Sequence, residues 1–164
     1  MSSGGAILSN FDIGNVLERN GIPLVYIGFK DKLNETHLQV GSYVLNMADS
    51  DDGTGGTHWI CFLVERINGI HHVVYFDPFG LDPPEIVKKY VSKIDDDIVY
   101  NNEQLQNENS SICGWYVIYF IYYMNKMKQQ EQDIYKRFRM FLQLFSTRPE
   151  DNRTLLKEYL KPLT

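Results

Sequence analysis

The chain has 164 residues, a formal net charge of −5, and 43% apolar against 23% charged residues. Those balances belong to a globular domain and exclude wholesale disorder or a nucleic-acid binder held by overall charge. The length allows one sizeable core, so residues 1–164 read as a single domain. Two cysteines, Cys61 and Cys113, are too few to staple a small secreted fold. The start at Met1 lacks a basic-then-apolar leader, so reduced thiols and no secretion are expected.

Met1 to Ala6 reads as a loose start. Asn10 can cap a short helix with Ile13, Val16 and Leu17 on its apolar face, and Asn20-Gly21 stops it. Ile22 to Phe29 and Val40 to Met47 are strand-like, and Ala48 to Gly56 is a polar, Gly-bearing loop. His58 to Arg66 and Ile70 to Phe76 flank Asn68-Gly69, the preferred pair for a type I′ hairpin. With Ile67 opposite Ile70, His58 falls opposite Phe79 and Ile60 opposite Asp77. Alternation then makes His58 and Asp77 diagonal neighbours on one face, about 7–8 Å apart at the backbone.

Beyond Pro78 come a turn with Gly80, Pro83 and Pro84, a short helix over Glu85 to Ser92, and a strand near Ile98 to Tyr100. Asn101 to Ser111 is polar. Ile112 to Met124 is apolar nearly all round, which predicts a central buried helix too short to span a bilayer, so no membrane partner is expected. Gln130 to Ser146 places Ile134, Phe138, Phe141, Leu142 and Phe145 on one helical face. A last helix near Arg153 to Leu160 carries Leu155, Leu156, Tyr159 and Leu160.

Cys113 falls where Ser110 and Ser111 can cap that central helix, and a helix start favours the thiolate form of a sulfur. Alone it reads more readily as a buried core thiol. A nucleophilic thiolate needs a histidine to exchange its proton, and the histidine needs an orienting acceptor. His58 and Asp77 supply that pair if the hairpin register holds. An acyl intermediate also needs donors for its oxyanion: the N–H of Cys113 at the helix start and a nearby Gln amide. Gln104 and Gln106 both lie in the preceding loop. No Cys/His/Asp spacing matches a zinc site and no Gly-rich phosphate loop is present, so no metal and no cofactor are expected. His37 falls in a polar loop, and His71 and His72 lie on the second hairpin strand.

The segments Thr54 to Ile60 (TGGTHWI), Phe76 to Gly80 (FDPFG) and Gln106 to Trp115 (QNENSSICGW) resemble the adenovirus protease family. These adenain-like viral cysteine proteases share a clan with SUMO and ubiquitin-like protein proteases. The chain order His, acid, Gln, Cys is the family's. The resemblance implies His58 as general base and acid, and Asp77 as the orienting carboxylate where adenovirus enzymes usually carry Glu. It implies Cys113 as nucleophile and Gln106, seven residues before it, as oxyanion donor, with Gln104 ranked lower. Trp59 and Gly114 match residues bordering the family's substrate cleft. The implied fold is α+β: a mixed β-sheet packed on a central buried helix carrying the nucleophile, the permuted papain-like arrangement.

The implied activity is a cysteine endopeptidase that cuts viral precursor proteins at small-residue, Gly-containing sites during virion maturation. Its place would be the virion or a virus factory in the host cytoplasm or nucleus, acting as a monomer. A SUMO or ubiquitin-like modifier protease and an acetyltransferase of the same clan are the alternatives, although modifier proteases usually space Gln six residues before Cys. The resemblance also brings a peptide activator, joined through a disulfide, and DNA as an activator. Cys61 is the one other cysteine. It falls on a strand just after His58, on the opposite face, where a buried core thiol is expected rather than a peptide-pairing one. From residue 126 onward nine Lys and Arg outnumber five acids, against −9 for residues 1–125. That basic end could touch DNA phosphates, but a solvated helix face is the simpler expectation.

Overall fold

The computed structural model describes residues 8–48, 50, 58–95, 97–107 and 112–163. The first helix, α1 (Asn10–Arg19), buries Ile13, Val16 and Leu17 as its periodicity requires. Its cap is Ser9 rather than Asn10. The Ser9 side chain accepts from the Asp12 N–H while the Asp12 carboxylate takes the Ser9 N–H, a reciprocal pair that Asn10 has no matching acid to form. Asn20 and Gly21, the latter with φ +74°, end the helix as expected.

Five strands follow in spatial order: β1 (Leu24–Phe29), β2 (Gly41–Asn46), β3 (Trp59–Ile67), β4 (Ile70–Phe76) and β5 (Val99–Tyr100). The sheet is mixed. β1 runs parallel to β2 and β5 parallel to β4, while β2–β3 and β3–β4 are antiparallel. Asn68 and Gly69 both take positive φ (52° and 78°), the geometry of the I′ turn. Ile67 pairs with Ile70 and the register runs unbroken to Cys61 opposite Phe76. The hairpin register read from the sequence therefore holds up to the last ladder pair.

Alternation along β3 sends Trp59, Cys61 and Leu63 to one face and Ile60, Phe62 and Val64 to the other. Both faces are covered. The first packs on α3 (Cys113–Lys126), with α1, α4 (Ile134–Leu142) and α5 (Pro149–Leu160) around it. The second meets Val87, Tyr90 and Val91 of α2 (Glu85–Val91) and Leu33 of a 3₁₀ turn. Burial on both sides explains why α3 is apolar nearly all round and why β3 reads as an unbroken apolar run. Phe76 of β4 stacks on Phe120 of α3 at 4.9 Å, and Phe141 of α4 meets both rings edge-on at 5.1 Å.

Helix α4 is shorter than the Gln130 to Ser146 reading. Asp133 caps it by accepting from the Tyr135 and Lys136 N–H groups, and the chain turns away after Leu142. Arg137 on this helix is fully buried, not part of a basic face. Its guanidinium grips both Glu65 oxygens on β3 and donates to the Met124 carbonyl at 2.8 Å. α5 begins at Pro149, four residues before Arg153, because Pro is suited to the first helical turn. Among the described residues no helix is long and apolar enough to cross a membrane.

Candidate active site

The start of β3, the end of β4 and the start of α3 meet at one place. Met47 donates its N–H to the His58 carbonyl at 2.9 Å, so the N–H at the other end of that same peptide, the Trp59 N–H, points away from β2, towards β4. There β4 has already left the ladder at Asp77-Pro78. The Trp59 N–H instead donates to the sulfur of Cys113 at 3.4 Å. The Pro78 carbonyl accepts from the N–H groups of Leu105 and Gln106 at 2.9 and 3.0 Å. The fraying of one hairpin thus recruits both the helix and the loop before it.

His58 and Asp77, diagonal neighbours by the register, are joined through Nε2 and Oδ1 at 2.8 Å. The same Oδ1 accepts the Phe79 N–H at 2.8 Å, and the Phe79 ring stacks on the imidazole with centroids 4.5 Å apart. Asp77 is buried, and the His58 side chain is only 16% exposed. Nδ1 of His58 is buried, and the Cys113 side chain interacts with the same ring. Burial works against charge on the imidazole, but the Asp77 carboxylate and the Cys113 side chain outweigh it and raise His58 from 6.5 to about 9. At neutral pH the ring is therefore an imidazolium, with Nε2–H donating to Asp77.

Cys113 is the first residue of α3 and buried, so its N–H points out of the helix start. The expected caps Ser110 and Ser111 lie outside the described residues, as does the small-residue loop before His58. Trp59 and Gly114, expected at the cleft border, are buried beside Leu8. The Trp59 indole N–H donates to the Leu8 carbonyl at 2.9 Å, and a methyl on Gly114 would come within 3.1 Å of Leu8 Cδ1. Glycine after the nucleophile is what lets the segment before α1 lie against the helix start.

Gln106 is fully buried, and the Leu105 carbonyl beside it accepts from the Tyr116 hydroxyl at 3.2 Å, one turn into α3. Gln104 spends its amide on the Gln106 carbonyl at 2.9 Å, inside the loop itself. Asn152 on α5, fully buried, also donates to the Leu105 carbonyl at 3.0 Å. Nothing in the sequence marks Asn101 or Asn152 as buried, because an Asn in a polar stretch or on a helix carries no signal of burial. Cys61 is fully buried and its thiol is pushed well above its ordinary range by burial and then by Asp77, as suits an inert core thiol. His72 bonds the Tyr135 hydroxyl at 2.9 Å and takes no part here. A cavity of about 600 Å³ against α1 and β1, lined by Phe11, Gly14 and Ile27 among others, contains none of these residues.

The model of the adenovirus endoprotease family matches residues 26–141. No curated protein sequence matches. Among solved structures, the ASFV pS273R protease superposes with a TM-score of 0.55 at 18% identity, over 94% of this chain and 67% of that one. Its selenomethionine form gives 0.52 with the same identity and coverage. An AvrA deletion variant with IP6 and CoA gives 0.50 at 13% identity, over 76% of this chain and 53% of that one. These likenesses speak to the fold. The family match spans well over half of the chain and takes in His58, Asp77, Gln106 and Cys113, and by it the chain belongs to the adenovirus endoprotease family of cysteine-type endopeptidases.

Proposed function

We propose that the chain cuts viral precursor proteins during virion maturation, with Cys113 as nucleophile, His58 as proton carrier, Asp77 as its orienting acid and Gln106 as oxyanion donor. The observation that carries this reading is the single imidazole held between the Asp77 carboxylate at 2.8 Å and the Cys113 side chain. In this reaction His58 holds the proton taken from Cys113, and the sulfur attacks the scissile carbonyl carbon. The carbonyl oxygen becomes an oxyanion facing the Cys113 N–H and the Gln106 amide. The C–N bond breaks as His58 gives its proton to the leaving amine, which leaves a thioester on Cys113. Neutral His58 then takes a proton from water, the hydroxide adds to the thioester, and the acid product departs as the thiolate–imidazolium pair is restored.

The preference for Gly around the cut comes from the family resemblance, and burial of Trp59 and Gly114 beside Leu8 is consistent with a narrow approach to the sulfur. Action as a monomer inside the virion or virus factory, without a disulfide-linked peptide, completes the proposal. Buried Cys61 offers such a peptide no exposed sulfur. A peptide library at neutral pH with reductant tests it. Cleavage at Gly-containing sites by wild type, absent in Cys113→Ala, is the expected result. Acetyl transfer from acetyl-CoA, or reaction with modifier vinylsulfones, in place of peptide cleavage would overturn it.

A further inference from the structure

Strand β5 is only two residues long, pairing Val99 with Val74 and Tyr100 with Tyr75. Just past it Asn101 is 1% exposed, although it opens a polar stretch. Its side chain replaces the missing strand. Oδ1 accepts the Asp77 N–H at 3.0 Å, and Nδ2 donates to the Asp77 carbonyl at 2.8 Å. One side-chain amide thus satisfies both main-chain groups of the residue that holds His58. The remaining hydrogen on Nδ2 goes to the Glu103 carbonyl at 3.0 Å, which folds the chain back towards Gln106.

Two further contacts bind the same pieces together. The Gly80 N–H donates to the Asp77 carbonyl at 2.8 Å, closing the Asp-Pro-Phe-Gly turn. Gly80 has φ +75°, and a Cβ there would sit 2.8 Å from the carbonyl oxygens of both Asn102 and Glu103. The Pro78 carbonyl takes the N–H groups of Leu105 and Gln106. The turn carrying the acid and the loop carrying the Gln are therefore one docked unit, with the Asn101 amide between them.

We propose that Asn101 is a positioning residue that sets Asp77 against His58 and, through the same loop, sets Gln106 beside the start of α3. It touches no substrate and acts only through these two residues. This rests on the roles given above to Asp77 and Gln106. A buried amide that makes three bonds would also stabilise the fold whatever the chemistry. The test therefore needs readouts that stability alone does not move.

Asn101→Ala, the isosteric Asn101→Asp and Gly80→Ala are compared with wild type in two assays. Asn101→Asp keeps one acceptor, loses both donations and sets a carboxylate against two carbonyls. Gly80→Ala pushes the 102–103 segment away and loosens the Asn101 bond to the Glu103 carbonyl, while the Asn101 residue itself is kept. The first assay is the rate of Cys113 alkylation by iodoacetamide against pH, which needs no substrate. The expected result is alkylation at pH 7 slowed about 10-fold and its rising limb displaced to higher pH, because a misplaced Asp77 no longer sustains the imidazolium. The second is kcat and KM on a peptide that wild type cuts. A misplaced acid and amide lower kcat by about 100-fold with KM little changed.

Folded variants with the wild-type alkylation profile and kcat, differing only in melting temperature, overturn the proposal. If Asn101→Ala shows no cooperative melting, the other two variants decide. Wild type that alkylates at Cys113 but cuts no peptide would count against the endopeptidase reading, and the alkylation comparison would still decide the role of Asn101.

Discussion

The main-chain N–H of Trp59 donates to the sulfur of Cys113 across 54 residues of sequence. It can do so because the antiparallel register turns that N–H away from β2, and because β4 has already ended on its other side. The peptide next to His58 thus brings a main-chain donor to the same sulfur that the imidazole faces. A strand end, normally a place of unsatisfied groups, here has a use for its spare donor.

Asp77→Asn tests the electrostatics of this corner. Removing the carboxylate leaves burial acting on His58, so its proton affinity falls from the present value of about 9. The alkaline limb of kcat/KM, set by loss of the His58 proton, moves to lower pH, and activity at neutral pH drops by about 10²–10⁴-fold. The sign for stability follows from the same shift. A histidine raised on folding from 6.5 to about 9 contributes fully below pH 6.5 and loses that contribution as pH rises through 9. Urea melts of wild type at pH 6 and pH 9.5 should differ more than those of Asp77→Asn.

The two thiols should part cleanly. Iodoacetamide at neutral pH modifies Cys113 and leaves Cys61 untouched in the folded protein, since Cys61 is sealed in the core and held protonated by burial. Peptide mapping after brief labelling reads this directly. Equal labelling of both thiols would contradict the assignment.

The buried pair of Glu65 and Arg137 joins β3 to α4 and the end of α3. Arg137→Met alone should cost about 3–5 kcal/mol in urea unfolding, because it strands a buried carboxylate. Adding Glu65→Leu should recover most of that loss. Failure of the second change to rescue the first would show that the cost lies in the Met124 carbonyl and not in the ion pair.

Asn152 donates to the carbonyls of Leu105 and Ser146 and accepts the Ser146 N–H at 2.7 Å. Asn152→Ala leaves these buried groups unmatched and should lower stability by about 2 kcal/mol. Activity should fall as well, because the Leu105 carbonyl is the neighbour of Gln106. Thermal melts and kcat read the two effects separately.

Much of this corner was legible in the residues. Asn68-Gly69 pins the hairpin, its register follows from the turn, and alternation then brings His58 to Asp77. What the register could not give is the partnership with α3, which depends on where β4 stops pairing. Gln104 and Gln106 were inseparable on chemistry. Only the fold shows Gln104 spending its amide on its own loop while Gln106 lies fully buried. In the sequence Arg137 falls among the basic residues of the C-terminal part, because charge patterning along a helix does not reveal a carboxylate 72 residues away in sequence. Asn101 does not stand out from its polar stretch, because its partners are main-chain atoms, which leave no mark on residue type.

The most direct test of the central claim is to quench wild type and Cys113→Ala during turnover of a cleavable peptide and weigh the intact protein. The account predicts an acyl adduct on Cys113 in wild type, one peptide fragment in mass, and neither adduct nor cleavage in Cys113→Ala. Cleavage that persists in Cys113→Ala, or an adduct mapped to another residue, would contradict it.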